Sequence, residues 1–146
     1  MQVGLRAATA DDLEFAYDVT EAAMRRYVEQ TFGTWIREVQ KEIIGRSFDP
    51  KTHQIILVDG EPAGILAVEV DASHLRLEKI YLLPAFQRRG IGSQLITELI
   101  HSVRASNKPI RLRVLAANSA ARRLYQRLGF VATEVTPQRV FMEYRR

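Results

Sequence analysis

The spacing of apolar residues predicts a chain of strands and helices. Residues 3–7 are a short strand candidate, and an i, i+3, i+4 pattern then predicts a helix over about residues 11–30. Thr9 precedes this pattern and is followed closely by two aspartates, which is typical of a helix start. A second helix is expected from a Thr34 cap to about Gly45, with three inward residues: Trp35, Val39 and Ile43.

The middle of the chain changes to an extended pattern with one interruption. Apolar runs on both sides of residues 59–62 predict a hairpin of two strands. The next strand, residues 74–83, has apolar residues at odd positions up to Leu77 and at even positions from Ile80. This change of phase near residues 78–79 predicts a β-bulge, although a strand buried on both faces also shifts phase.

A basic loop with two glycines follows that strand and leads into a helix. Residues 87–92 read QRRGIG, and apolar residues over 91–100 then recur at helical spacing. The first turn of a helix has N–H groups without intrahelical partners, and glycine lets an anion approach the backbone. The segment therefore predicts a site for a phosphate-bearing ligand, with simple turn packing as the alternative. A dinucleotide fingerprint is excluded because Leu95 stands where its third glycine belongs, and no P-loop consensus occurs.

The last third of the chain predicts a strand, a helix and a closing hairpin. Apolar residues alternate with arginines over residues 110–114, which indicates a strand. Residues 118–128 have a helical pattern, and Gly129 occupies the expected C-cap position. Two further strands flank a turn at Pro137: residues 130–135 and 139–144.

The composition is that of a globular protein. The chain has 146 residues, of which 47% are hydrophobic and 26% charged, and we expect one domain over residues 1–146. No apolar run is long enough to span a bilayer, and the first residues lack the hydrophobic segment of a signal peptide. We therefore expect a cytoplasmic protein without a membrane partner. Because there is no cysteine and the three histidines are scattered, neither disulfides nor a metal site are expected.

Charge is distributed unevenly along the sequence. Residues 1–75 contain seven Lys or Arg and thirteen Asp or Glu, whereas residues 76–146 contain fourteen and four, so the two halves carry −6 and +10. The C-terminal half therefore favours a polyanionic ligand, and the N-terminal half favours a cationic partner or solvated helix faces. A basic nucleic-acid-binding module is a remote alternative, and we expect no nucleic-acid partner because no motif with stacking aromatic residues is present.

Two segments resemble the motif pair of the GCN5-related N-acetyltransferases (GNAT). The motifs of that family are Q/RxxGxG/A and NxxAxxLYxxxGF, and here residues 87–92 read QRRGIG and residues 118–130 read NSAARRLYQRLGF. Two motifs in register are far more specific than one. The resemblance implies an α/β (α+β) fold with a mixed, mostly antiparallel sheet of six to seven strands, a splayed central strand pair and about four helices on both faces.

The resemblance also implies acetyl coenzyme A as the acyl donor, bound where the two central strands separate. The main chain of residues 80–82 would hold the pantetheine arm and the thioester carbonyl, and residues 87–93 would cradle the pyrophosphate. Asn118 would contact the cofactor or cap its helix. The implied cofactor-binding residues are Ile80, Tyr81, Leu82, Gln87, Arg88, Arg89, Gly90, Ile91, Gly92, Ser93, Asn118 and Tyr125.

Transfer of an acetyl group from a thioester to an amine needs a proton acceptor, an oxyanion donor and a proton for the leaving thiolate. Glu78 is the best-placed base, directly or through a water, with a surface carboxylate paired to Lys79 or Arg76 as the alternative. Tyr125 corresponds to the usual general acid of the family, with half-buried packing as the alternative. Without cysteine no acyl-cysteine intermediate can form, so we expect direct attack within a ternary complex.

The acceptor is expected to be a primary amine on a small molecule or a peptide. In the family the first two helices and the last hairpin line the amine side, so the candidates are Tyr27, Glu29 and Trp35, whose rings and carboxylate suit a cation. Core packing is the alternative for Tyr27 and Trp35, and Arg25 and Arg26 would instead select an acceptor with a carboxylate. A non-catalytic sensor that binds acyl-coenzyme A is a second interpretation, and the protein is expected to be a monomer or a homodimer.

Overall fold

The computed structural model describes residues 1–145. These residues form seven strands and four α-helices: β1 (Val3–Ala7), α1 (Leu13–Phe32), α2 (Arg37–Ser47), β2 (His53–Val58), β3 (Glu61–Val70), β4 (Leu75–Leu82), α3 (Ile91–Val103), β5 (Ile110–Leu115), α4 (Ser119–Arg127), β6 (Val131–Val135) and β7 (Arg139–Tyr144). Short 3-10 helices precede α1 and follow β4. None of the described helices is both long and apolar enough to cross a membrane.

The seven strands form a mixed sheet in the order β1-β2-β3-β4-β5-β7-β6. The pairs β1/β2, β2/β3, β5/β7 and β6/β7 are antiparallel, whereas β4 and β5 are parallel. The β2/β3 hairpin turns at Asp59 and Gly60, which both have positive φ, as two-residue hairpin turns favour. The predicted fold class, a mostly antiparallel sheet of six to seven strands with four helices, is confirmed.

The chain divides into two compact units. The first unit contains residues 1–67 and 79–89, and the second contains residues 68–78 and the chain from Gly90 onward. The expectation of one domain stays a prediction. In the first unit, small residues of α1 pack on the hairpin strands, and this buried cluster consists of Ala8, Ala16, Val19, Ile55 and Ile65.

The buried residues of the second unit follow the predicted periodicities. The buried face of α3 comprises Ile91, Leu95, Ile96, Ile100 and Val103, at helical spacing. Strand β5 alternates instead, because successive side chains of a strand point to opposite faces. Its apolar residues Ile110, Leu112 and Val114 are buried, and its two arginines are exposed.

The predicted inward face of the second helix is wrong. Helix α2 begins at Arg37 with Ile36 at the N-cap, so Thr34 is not its cap, and Val39 and Ile43 are 48% and 52% exposed. Ile44 is buried instead. The physical reason is that Trp35 lies before the first residue of α2, so its burial does not fix which side of the helix is buried. A shift of one residue rotates the buried side of a helix by about 100°.

Candidate active site

The second part of the glycine loop forms the start of α3. Gly90 takes the N-cap position with a φ of +80°, in the left-handed region that favours glycine, and no described side chain caps this end. A Cβ on Gly92 would have only the Leu124 side chain within 4 Å, at 3.7 Å. The first N–H groups of a helix lack intrahelical partners, so the N–H groups of residues 91–93 are available as donors, and their role in binding a phosphate stays a prediction.

The first part of the loop belongs to the other unit and is held by its own contacts. The Gln87 side-chain amide donates to the Leu82 carbonyl at 2.9 Å, which ties the loop to the end of β4. Arg88 has a φ of +62°, and the Arg89 guanidinium lies 5.7 Å from the centre of the Phe86 ring. Both arginines are exposed, so their charges face solvent just before Gly90.

The C-terminal half of β4 carries the backbone that the resemblance assigns to the acyl donor. Burial in β4 alternates only as far as Leu77, and all following residues of the strand are half-buried. The main chain at this end is close to β3, since Leu83 N–H donates to the Ala63 carbonyl at 2.9 Å. The predicted bulge near residues 78–79 stays a prediction.

Glu78 is engaged by a neighbouring arginine. Its carboxylate forms an ion pair with Arg76, which also binds Glu69 at 2.8 Å. The side chain of Glu78 remains 25% exposed. The Arg76 pairing considered as the alternative for Glu78 is therefore observed, while its role as a base stays a prediction.

A buried histidine that sequence reasoning gave no role lies beside Lys79 in the first unit. His53 is 2% exposed, and its Nδ1 lies 2.9 Å from the Asp49 carbonyl oxygen. A carbonyl only accepts, so the Nδ1–H donates and Nε2 is left as an acceptor. Lys79 Nζ donates to this Nε2 at 3.2 Å and to Ser47 Oγ at 2.8 Å. These contacts fix the side chain of Lys79, the residue that follows Glu78 in β4.

Asn118 and Tyr125, the two motif residues at α4, both make contacts within the fold. Asn118 is the N-cap, and its Oδ1 accepts from the Ala121 N–H at 3.2 Å, as the capping alternative predicts. Tyr125 is 8% exposed and its ring lies 5.7 Å from Phe130, which in turn lies 5.6 Å from Tyr144. Packing of Tyr125 is thus observed, and its role as an acid stays a prediction.

Arg122 is the residue on this helix that sequence reasoning missed. Its Nε is buried and, among the described side-chain atoms, is the one such donor or acceptor without a hydrogen-bond partner. Arg122 stands four residues after Asn118 and three before Tyr125, so all three share a helix face, and this spacing was the available signal. A buried N–H without an acceptor is costly, so the position fits an oxygen atom of a bound ligand.

The acceptor candidates on α1 and α2 are mostly occupied by contacts within the first unit. Trp35 is buried and its indole N–H donates to the Tyr17 hydroxyl at 2.9 Å, which confirms the packing alternative. The Glu29 carboxylate accepts from the Trp35 N–H at 3.1 Å, and the Arg26 guanidinium lies 4.7 Å from the centre of the Tyr27 ring. An acceptor role for Tyr27, Glu29 and Trp35 stays a prediction.

A family model for the acetyltransferase (GNAT) family matches residues 16–130. The chain belongs to this family. The resemblance seen in the sequence is thereby confirmed, and both the QRRGIG loop and the whole motif of residues 118–130 lie within the matched part of this GNAT chain.

Curated relatives of this GNAT chain are named acetyltransferases. A mycothiol acetyltransferase of Gordonia bronchialis is 32% identical over 130 residues, which cover 85% of this chain and 41% of the relative. An uncharacterised N-acetyltransferase of Methanocaldococcus jannaschii is 28% identical over 141 residues, which cover 90% of this chain and 62% of the relative. The GNAT chain therefore spans less than two thirds of the length of both relatives.

Solved structures share the fold of this GNAT chain. The PaiA N-acetyltransferase of Thermoplasma acidophilum, solved in complex with coenzyme A, superposes with a TM-score of 0.79 at 18% identity. The match covers 100% of both chains. At this identity the likeness shows a common fold.

Proposed function

We propose that this protein transfers an acetyl group from acetyl coenzyme A to a primary amine by direct attack in a ternary complex. The observation that carries the proposal is the start of α3, where Gly90 turns the chain and residues 91–93 present N–H groups that no described side chain caps. Membership of the GNAT family supports it, as does the coenzyme A bound to the PaiA enzyme of the same fold. We place the activity in the cytoplasm.

The residues of the second unit fit the group that the family implies. A diphosphate is an anion that suits an uncapped helix start, and the unpartnered Arg122 Nε offers a further donor. Gly92 leaves the approach to the backbone open, because only the Leu124 side chain is near its missing Cβ. Asn118 and the backbone of residues 90–93 complete the proposed binding set of this unit. When bound, acetyl coenzyme A supplies the activated thioester.

Glu78 is the proposed proton acceptor for the attacking amine. A primary amine has an ordinary pKa of about 10.4, so it must lose a proton before its nitrogen can attack the thioester carbonyl at neutral pH. The C–N bond forms as the C–S bond breaks, and the amine proton passes to Glu78 directly or through a water. The ion pair with Arg76 keeps the Glu78 carboxylate oriented on β4.

Tyr125 is the proposed proton donor to the thiolate that leaves. Its ring is buried and packs against Phe130, which restricts the position of the hydroxyl. A fixed donor needs no reorganisation when negative charge develops on sulfur, and this favours its use as a general acid.

A non-catalytic domain that binds acyl-coenzyme A is the second candidate function. Both catalytic candidates make contacts that a purely structural role would explain, and this favours the second function. Glu78 pairs with Arg76, and Tyr125 packs on Phe130. This sensor would use the same helix start and the same Arg122 donor, and would lack turnover.

Thermal unfolding with acetyl coenzyme A tests both candidates. At about 100 times Kd the ligand should add about 2.7 kcal/mol to the free energy of unfolding, and no change would contradict both functions. A panel of amines is then assayed for thiol release. Tyr125→Phe should lose turnover and keep binding, whereas Tyr144→Phe, which removes a hydroxyl beside the same ring cluster, should keep both.

The pattern of initial rates tests the order of events. Intersecting lines when both substrates are varied support direct transfer, and parallel lines together with an acetylated enzyme would contradict it. Binding of acetyl coenzyme A without turnover on any amine would support the sensor and contradict the enzyme.

A further inference from the structure

The start of β4, residues 75–78, and strand β5 both belong to the second unit and run parallel. Their parallel register covers two couples, of which the second is Arg76 with Arg111. Residues two apart in a strand share a face, so the next side chains on this face are Glu78 and Arg113. The burial pattern agrees, because Arg111 and Arg113 are both exposed in an otherwise buried strand. Glu78 and Arg113 therefore hold equivalent positions just beyond the last paired couple.

Among the arginines of this sheet face, Arg113 is left without a counter-charge. Three arginines near it pair with carboxylates: Arg76 with Glu69 and Glu78, and both Arg111 and Arg145 with Glu143. The hydrogen bond from Arg111 also lowers the pKa of Glu143. Arg113 has no ion pair, side-chain hydrogen bond or ring contact with any residue of the described chain.

The residue opposite Arg113 in strand β7 is aromatic. This register partner is Phe141, whose side chain is half-exposed on the same face. An exposed guanidinium without an ion pair in the described chain is available to bind a ligand.

We infer that Arg113 selects acceptors that carry a carboxylate close to the reacting amine. This rests on the proposed function of Glu78. Arginine binds a carboxylate through two parallel N–H···O bonds, while the Glu78 carboxylate attracts the ammonium group. Neighbouring strands lie about 4.8 Å apart, so the two opposite charges match the two charged ends of an amino acid. The substrate class is therefore a free amino acid or a similar zwitterion.

Arg25 and Arg26 of α1 are the alternative candidates for binding a carboxylate of the acceptor. Arg25 is within 3.5 Å of both Glu21 and Glu29, and Arg26 covers the Tyr27 ring, so both guanidinium groups already have partners. Arg113 has none in the described chain, and its charge is available to an acceptor.

Matched acceptor pairs test the inference. Each L-amino acid of a panel is compared with its carboxamide, and kcat/KM is measured by thiol release from acetyl coenzyme A. The wild-type protein should prefer the acid by about 10- to 100-fold, as expected for a charge-assisted contact. Arg113→Met should bring this ratio close to one, and Arg113→Lys should keep part of it. The control is Arg111→Met, which removes a paired guanidinium from the same face and should keep the wild-type ratio.

A binding measurement separates this inference from the proposed function. With coenzyme A in place of acetyl coenzyme A nothing can turn over, and amino acids should still raise the unfolding temperature of the wild-type protein more than their carboxamides do. Arg113→Met should abolish that difference. The role of Arg113 would be overturned if acid and amide raised the unfolding temperature of the wild-type protein equally. It would also be overturned if Arg113→Met reduced both rises in the same proportion. Turnover of simple amines without a carboxylate would leave the transferase itself standing.

Discussion

Gly64 of β3 lies directly against the carbonyl oxygen of Tyr81 in β4, and a Cβ on Gly64 would come within 2.1 Å of that oxygen. No side chain fits at such a distance, so the two backbones approach as closely as they do because residue 64 is glycine. Tyr81 is one of the residues whose main chain is proposed to hold the acyl donor. Gly64 therefore sets the position of that main chain.

Gly64→Ala should destabilise the protein by about 2 kcal/mol, because β4 must shift to accept the methyl group. The affinity for acetyl coenzyme A should fall with it. Urea unfolding and calorimetric titration measure the two effects. Gly45→Ala is the control, since nothing lies near its Cβ and alanine favours a helix, so α2 should be slightly stabilised. If Gly64→Ala kept the wild-type stability and affinity, Gly64 would not set the position of the β4 main chain.

Two substitutions at Gly92 should have opposite outcomes. Gly92→Ala places a methyl group at ordinary contact distance from Leu124 and should bind acetyl coenzyme A almost normally. Gly92→Glu puts a negative charge at the start of α3, where the diphosphate is proposed to lie, and should weaken binding by more than about 100-fold. Calorimetric titration compares them. Similar affinities for the two variants would mean that the phosphates bind elsewhere.

Arg122→Leu should weaken binding of coenzyme A by about 10-fold and leave the free energy of unfolding unchanged or slightly higher, because it removes a buried donor that has no partner. Arg123→Leu removes the neighbouring exposed arginine and serves as the control. Titration with coenzyme A and with dephospho-coenzyme A would show whether the 3′-phosphate is the group contacted. Wild-type affinity in Arg122→Leu would remove this residue from the site.

Asp12 should make stability depend on pH in the acid range. Arg6 donates to both of its carboxylate oxygens at 2.9 Å, and these contacts lower the pKa of Asp12 to about 2. Because the folded pKa lies below the unfolded one, the contribution is present above about pH 4 and is lost as the pH falls toward 2. Asp12→Asn should lower stability by about 1 kcal/mol at pH 7, and this difference should shrink as the pH approaches 2 and vanish below it. Urea unfolding across this range, with Asp11→Asn as control, checks the sign.

Local patterns in the sequence determined most of the elements and the family. The helical spacing of apolar residues predicted α3, and alternation predicted β5 with Ile110 and Leu112 inward, because these periods follow from backbone geometry alone. Gly90 and Gly129 marked a helix start and a helix end for an equally local reason, since both have positive φ. The motif pair likewise needed no knowledge of the folded chain.

Contacts between residues distant in sequence were decided by the tertiary structure. The inward face of α2 depends on where the chain packs after Trp35, so Ile44 rather than Ile43 is buried. The isolation of Arg113 depends on which carboxylates the sheet places beside the other arginines, and the register that brings Arg76 to Arg111 sets that choice. The spacing of residues along the chain predicts which side chains share one face of a helix or strand. Ion pairs and burial depend instead on how separate elements pack together, which only the folded chain establishes.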